Sequence, residues 1–246
     1  VLKGEDAHGW RENVIVGGET LCLGLVADGH GGKACSQMLK AFIFDSMLEL
    51  LELPPSGAAL QKAGTKAFLA SHRKMVESGK LDGSTLTLCV VNVTRGELTT
   101  LHAGDSVARL VGRRTAAMAL CEDHRIESSQ AERDRLTALG GTIARAMDKH
   151  GRPGGPLRLW PKGGPGVAQA RAIGDADVAP FIEPTPHAQT VTLPVAESCC
   201  VVMCSDGVWD AMSPQDVDAV VRNTMILPAG TIARQVTFAA LSSRHA

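Results

Sequence analysis

The sequence predicts an α+β fold, with packed antiparallel sheets covered by pairs of helices. Three observations predict it. Helical periodicity is concentrated in two places, residues 33–76 and 214–241. Between them runs a series of short β-rich segments separated by turn residues. A chain of 246 residues, 44% hydrophobic and 21% charged, can bury a sizeable core.

Residues 21–27 form an apolar run that reads as a buried strand. Residues 33–51 read as an amphipathic helix. Cys35, Met38, Leu39, Phe42, Ile43, Met47, Leu50 and Leu51 recur there at spacings of three and four. Pro54-Pro55-Ser56-Gly57 ends it. A second helix over residues 58–76 places Leu60, Ala63, Ala67, Phe68 and Met75 on one side. Ser78-Gly79 and Asp82-Gly83 close that region.

Strands follow over residues 85–93 and 98–103, joined by a hairpin loop at Thr94-Arg95-Gly96-Glu97. Residues 107–111 and 116–120 continue the series. Residues 128–139 form a charged helix ended by Gly140-Gly141, a good C-terminal cap. Residues 145–166 are rich in Gly, Pro and basic residues, and read as a long surface excursion or mobile loop. Residues 190–193 and 199–204 are further strands. Residues 214–222 and 231–241 are helices, with Val217, Val220, Val221, Ile232, Val236 and Ala240 on their apolar faces.

Composition narrows the function. A net charge of −1 gives no electrostatic footprint for nucleic acid or a membrane surface. Aromatics are 3% with no Tyr, so a base-stacking platform is also disfavoured. The seven Cys contain no Cys-x-x-Cys pair and sit mostly in apolar runs. They read as free thiols in a reducing, intracellular compartment rather than as a zinc site. No apolar run approaches the ~20 residues that span a bilayer, and no signal peptide is visible. The chain opens at Val1 without an initiator Met and reads as a segment trimmed at both ends.

The chemistry centres on Leu25-Val26-Ala27-Asp28-Gly29-His30-Gly31-Gly32. An apolar strand ends in an acid, a histidine and three glycines. Alone, Asp-Gly is a common turn. The same grammar recurs at Val201-Val202-Met203-Cys204-Ser205-Asp206-Gly207, and in reverse at Gly104-Asp105 and Gly174-Asp175. Glu5-Asp6 adds an acidic pair near the start. Several acids at element ends beside glycine suggest a polycarboxylate site, which suits Mg²⁺ or Mn²⁺ better than zinc.

Asp28-Gly29-His30-Gly31-Gly32, Gly83-Ser84-Thr85, Gly104-Asp105-Ser106, Arg171-Ala172-Ile173-Gly174-Asp175 and Ser205-Asp206-Gly207-Val208-Trp209-Asp210 occur in this order. Their order and spacing resemble the metal-dependent serine/threonine protein phosphatases of type 2C, over nearly the whole chain. The resemblance implies a central β-sandwich with two helices on each side, in a single catalytic domain over residues 1–246. It implies phosphoprotein substrates and a monomer without nucleic-acid partners or a transmembrane segment. The expected location is cytoplasmic, nuclear or both.

It further implies two ions of Mn²⁺ or Mg²⁺ and a weaker third. Asp28 would bridge two metals, with Asp206 and the main-chain carbonyl of Gly29 as further ligands. Glu5 and Asp6 would hold metal-bound waters, and Asp105 and Asp210 would join Asp206 around the third ion. Two divalent ions ~4 Å apart lower the pKa of a bridging water, and that hydroxide would attack phosphorus in line. His30 would protonate the leaving alkoxide as general acid. Arg171 would hold the fold around the site. Ser84 and Ser106 read as structural, Gly174-Asp175 as a turn, and Trp209, Met47 and Met75 as core. His8, His72, His102, His124, His150 and His187 read as ordinary polar residues.

Two positions depart from the family pattern. Val1 stands where a phosphate-binding Arg is expected, and His245 where a metal-binding Asp is expected. They favour a rival reading, a pseudophosphatase of the same fold that binds partners without turnover. The retained acids favour the enzyme. A calcium-binding structural domain would also use Asp-Gly motifs, but the dense local loop of an EF-hand is absent from the sequence.

Overall fold

The computed structural model describes residues 4–160, 166–178 and 181–244. The described chain begins with a hairpin of β1 (Ala7–Val16) and β2 (Glu19–Ala27), turned at Gly17 and Gly18, both at positive φ. Strand β1 escapes the sequence reading because its alternation is broken. Its pairing with β2 shifts register between Arg11 and Val14, so a polar stretch falls mid-strand. A two-residue strand β3 (Gly29–His30) follows, then α1 (Ala34–Glu49) and α2 (Gly57–Glu77). The Ser56 hydroxyl caps α2 by accepting from the Ala59 amide at 3.3 Å.

The central strands are β4 (Gly83–Ser84), β5 (Leu86–Asn92), β6 (Glu97–Ala103), β7 (Val107–Gly112) and β8 (Met118–Ala119). Helix α3 (Gln130–Ala138) is next. The stretch 145–166 is not a featureless excursion. Most of it belongs to a hairpin of β9 (Thr142–Met147) and β10 (Pro153–Trp160). Gly151, Pro153, Gly154, Gly155 and Pro156 lie around the turn and at a register shift between Gly154 and Leu157, where they hide the strand pattern, and residues 161–165 of the stretch lie outside the described residues. The indole of Trp160 closes the hairpin by donating to the Ala144 carbonyl at 2.9 Å. The remaining elements are β11 (Ile173–Gly174), β12 (His187–Thr192), β13 (Cys199–Cys204), α4 (Asp206–Trp209), α5 (Pro214–Thr224) and α6 (Ala229–Ser243).

Strand alternation sorts side chains into layers. In β2, Leu21, Leu23, Leu25 and Ala27 are buried against α1 and α2, as are Leu86, Leu88 and Val90 of β5. The intervening residues face the other way. There Cys89 of β5 and Leu98 of β6 meet Ala108 and Leu110 of β7. The result is an antiparallel sheet in the order β1-β2-β5-β6-β12 packed on a smaller one, β13-β7-β8. On the far side, Val111 and Val202 pack against Val217, Val221, Ile232 and Val236 of α5 and α6. Arg109 pins α5 by donating twice to buried Asp218, at 2.9 and 2.7 Å. The expected sandwich with two helices on each side is therefore present. Trp209, Met47 and Met75 join these cores, as the sequence suggests.

A third, small sheet positions the chemistry. It runs β11-β4-β3, pairing Ile173 and Gly174 with Ser84 and Gly83, and those in turn with Gly29 and His30. Three glycine-containing motifs, distant in sequence, thus lie side by side at one end of the sandwich. Among the described residues, no helix is long and apolar enough to cross a membrane.

Candidate active site

Asp28 emerges where β2 leaves the sheet, and its backbone is clamped by the Gly83-Ser84-Thr85 motif. Its amide donates to Thr85 Oγ1 at 3.0 Å. Its carbonyl accepts from the Thr85 amide at 2.9 Å and from the Ser84 hydroxyl at 3.1 Å. Thr85 Oγ1 in turn lies 2.7 Å from Ser106 Oγ. Both serines are committed to this scaffold, which accords with their structural reading.

Gly29 is required by close approach. A Cβ there would lie 2.5 Å from the Glu5 carbonyl oxygen and 3.1 Å from Ser36 Oγ. Ser36, in the first turn of α1, donates to that same Glu5 carbonyl. This contact carries the acidic pair Glu5-Asp6 onto the Asp28 loop. Helix α1 is capped from outside its own segment. Asp82 Oδ2 accepts from the Cys35 amide at 3.0 Å and satisfies one of the open donors at the helix start.

The acids converge. Asp206 opens α4 directly after β13, and Asp210 lies one turn later, its amide donating to the Asp206 carbonyl at 2.8 Å. After burial, the charge of Asp206 is the largest influence on the Asp28 carboxyl. Burial, then the charge of Asp206, Asp6 and Asp105, pushes the Asp28 carboxyl up to about 8. Asp105 is 4% exposed, and burial raises its carboxyl despite the opposing Arg125. Asp105 Oδ1 and Glu5 Oε2 are buried without a hydrogen-bond partner. Hard oxygen donors crowded beyond what their mutual repulsion favours, two of them orphaned, fit a divalent cation chemically. Among the described residues, however, no three of His, Cys, Asp or Glu are arranged to hold a metal ion. Asp210 sits at the rim, tied to Arg125. Val1 and His245, where the sequence departs from the family pattern, lie outside the described residues.

His30 is half-buried, and its Nε2 lies 2.7 and 2.9 Å from the two oxygens of Asp175. Burial lowers the imidazole pKa, but the hydrogen bond and charge of Asp175, with Asp105 and Glu5, outweigh it and leave the pKa raised. Asp175 is therefore no plain turn residue. It is 3% exposed and adopts φ 55°, in the left-handed region that Asp tolerates better than most residues. Its carboxylate crosses the small sheet over Gly83, where a Cβ would lie 2.3 to 2.4 Å from all three carboxyl atoms. The Arg-Ala-Ile-Gly-Asp block was the available signal for Asp175, because a glycine before an acid marks unusual backbone.

Arg171 is a scaffold residue, as expected. It donates to Glu132 at 2.6 Å and to the Thr185 carbonyl at 3.0 Å. Arg125 has no such signal in the sequence, yet its Nε lies 3.0 Å from Asp105 and its Nη1 2.9 Å from Asp210. Among the other histidines, His102 and His124 stack in the interior, with ring centroids 4.9 Å apart. His72 accepts from the Gly174 amide at 3.2 Å.

Comparison with known proteins bears on the family and the fold. The family model for protein phosphatase 2C matches residues 5–244. "Probable protein phosphatase 2C 3" of Oryza sativa subsp. japonica is 32% identical over 232 residues, covering 92% of this chain and 45% of the relative. "Probable protein phosphatase 2C 15" of Arabidopsis thaliana is 33% identical, over 89% of this chain and 49% of its own length. The chain thus spans about half the length of the curated relatives it matches. Among solved structures, a serine-threonine phosphatase 2C from Toxoplasma gondii superposes with a TM-score of 0.78 at 18% identity, over 98% of this chain and 86% of that one. A C. elegans sex determining protein gives 0.77 at 19% identity, over 97% of this chain and 61% of that one. At such identities the likeness is one of fold.

Proposed function

Because the chain belongs to the protein phosphatase 2C family, we propose that it hydrolyses phosphoserine and phosphothreonine monoesters of proteins with the help of Mn²⁺ or Mg²⁺. The observation that carries this reading is the crowding of acids around Asp28, with Asp105 Oδ1 and Glu5 Oε2 buried and unpartnered. The ends of two strands from different sheets deliver carboxylates to one point, at an electrostatic cost that a divalent ion would relieve. Asp28, Asp206 and the Gly29 carbonyl would hold the ions directly. Glu5 and Asp6 would hold their water shell, with Asp105 and Asp210 beside Asp206. Such ions supply neutralisation of the phosphoryl oxygens and acidify a water toward neutrality.

The protein's own groups do the rest. Asp175 keeps a proton on Nε2 of His30 and favours the charged ring. That leaves Nδ1 to give a proton to the serine or threonine oxygen as the P–O bond breaks, a contribution of roughly 10²–10⁴ in rate. No enzyme nucleophile is needed: Ser84 holds the Asp28 carbonyl and Ser106 the Thr85 hydroxyl instead. All seven cysteines are free, which supports an intracellular, reducing location.

The test is hydrolysis of a phosphothreonine peptide with Mn²⁺ and with excess chelator. Turnover should require the metal and be largely lost in Asp28→Asn. Undiminished turnover after verified metal removal would sink the reading.

A further inference from the structure

Arg125 stands at the corner where Asp105, Asp206 and Asp210 meet, and each nitrogen of its guanidinium addresses a different carboxylate. Nε lies 3.0 Å from Asp105 Oδ2, Nη1 2.9 Å from Asp210 Oδ1, and Nη2 4.0 Å from Asp206 Oδ2. The side chain is 29% exposed, and Asp105 is almost wholly buried. Its reach is set by its backbone. Arg125 bridges to Gln169, its amide donates to Asp123 at 3.0 Å, and its carbonyl accepts from the Ser129 amide at the start of α3. Gln169 supports the same place by donating to Asp105 Oδ2 at 3.3 Å. This is more than a surface ion pair. The carboxylates come from the β6–β7 turn and from α4, and the cation from the segment before α3.

We propose that Arg125 is a tethered cation that occupies the Asp105–Asp206–Asp210 corner in competition with a divalent ion. This rests on the reading above, in which these acids face metal. A guanidinium can satisfy several carboxylate oxygens at once and is always charged. It gives the buried Asp105 a counter-charge without any ion from solution. A divalent ion entering this corner must displace it, so this chain binds ions at Asp28 and Asp206 while the corner is self-neutralised. Arg125 is thereby a determinant of how many ions bind and how tightly.

The experiment titrates Mn²⁺ calorimetrically into the wild type, Arg125→Ala and Arg125→Lys, and records thermal unfolding of each in chelator and in Mn²⁺. In chelator, Arg125→Ala should unfold at lower temperature, because buried Asp105 loses its counter-charge and keeps only Gln169. Mn²⁺ should restore it by more than it stabilises the wild type. Arg125→Ala should also show an additional or roughly tenfold tighter Mn²⁺ site, and Arg125→Lys, with charge but no fork, should fall between. Unchanged Mn²⁺ binding in Arg125→Ala overturns the proposal. So does a stability loss that Mn²⁺ restores no more than it stabilises the wild type, since Arg125 would then be structural only. Absence of Mn²⁺ binding in all three proteins overturns the metal reading itself, and this inference with it.

Discussion

The carboxylate of Asp175 holds Nε2 of His30 at 2.7 and 2.9 Å, from a backbone at φ 55°. The two residues are 145 positions apart and meet only because Gly83 lies between them without a side chain. The pair has the form of an oriented acid. Asp175 selects the tautomer and favours the cation, and the other ring nitrogen is left for substrate.

Asp175→Asn tests that role directly. Asn tolerates the left-handed backbone as well as Asp does, so the fold should survive. The charge that stabilises protonated His30 is lost. Turnover on a phosphoserine peptide should drop by about 10–100-fold, and turnover on an aryl phosphate, whose leaving group needs little protonation, far less. His30→Gln should show the same split. Equal losses on both substrates would assign the pair a structural role.

Gly83→Ala should reproduce the Asp175 phenotype from a position with no chemistry of its own. The added methyl would collide with the Asp175 carboxylate, and relieving the clash would move Asp175 off His30. Overpacking of this kind costs about 1–3 kcal/mol. Denaturant unfolding and the ratio of alkyl to aryl turnover should both change. Wild-type values for both would mean that the small sheet accommodates a side chain.

Asp28→Asn should stabilise the protein in chelator while removing most of its activity. Asp28 is held against Asp206, Asp6 and Asp105, and burial and that repulsion favour its neutral form. An amide relieves the repulsion at no cost in size. After solvent screening the gain is on the order of 1–3 kcal/mol, a rise in Tm of several degrees for a domain of this size. Added Mn²⁺ should stabilise the variant less than the wild type. A lower Tm in chelator would show that the charged form of Asp28 is favoured in the fold.

The interior histidines predict a pH dependence. Burial, aided by His187, lowers His102 from 6.5 to about 4, against the backbone carbonyls of Gly104 and Glu122 and the charge of Asp123. Its stacked neighbour His124 is lowered to about 2 for the same first reason. At these two residues the unfolded chain therefore takes up protons below pH 6.5 that the native state refuses, and their contribution to stability should fall from about pH 6.5 down to about pH 4. For His102 the loss approaches about 3 kcal/mol. Asp28 acts with the opposite sign, since its raised carboxyl makes stability fall as pH rises toward 8. Denaturant unfolding across this range for the wild type and His102→Gln isolates the histidine by difference. Parallel profiles would mean that His102 is protonated in the native state.

Local patterning along the chain accounts for the helices, most of the strands and the acids at strand ends. These are local properties, because alternation, helical spacing and Asp-Gly at the end of an apolar run are visible within about ten residues. Asp28, Asp206 and the helical turn that carries Asp210 were legible for that reason. Strand β1 and the β9–β10 hairpin were not, since register shifts and clustered Gly and Pro break the period on which such reading depends. Which distant residues become partners depends on how the folded segments pack. Asp175 reads as a turn until the three-stranded sheet sets it across Gly83 from His30. Arg125 carries no motif until packing brings three carboxylates from two other segments around it. Coulombic and hydrogen-bond partners are chosen by distance in space, and no spacing along the chain encodes a distance between segments that meet only when both sheets have closed.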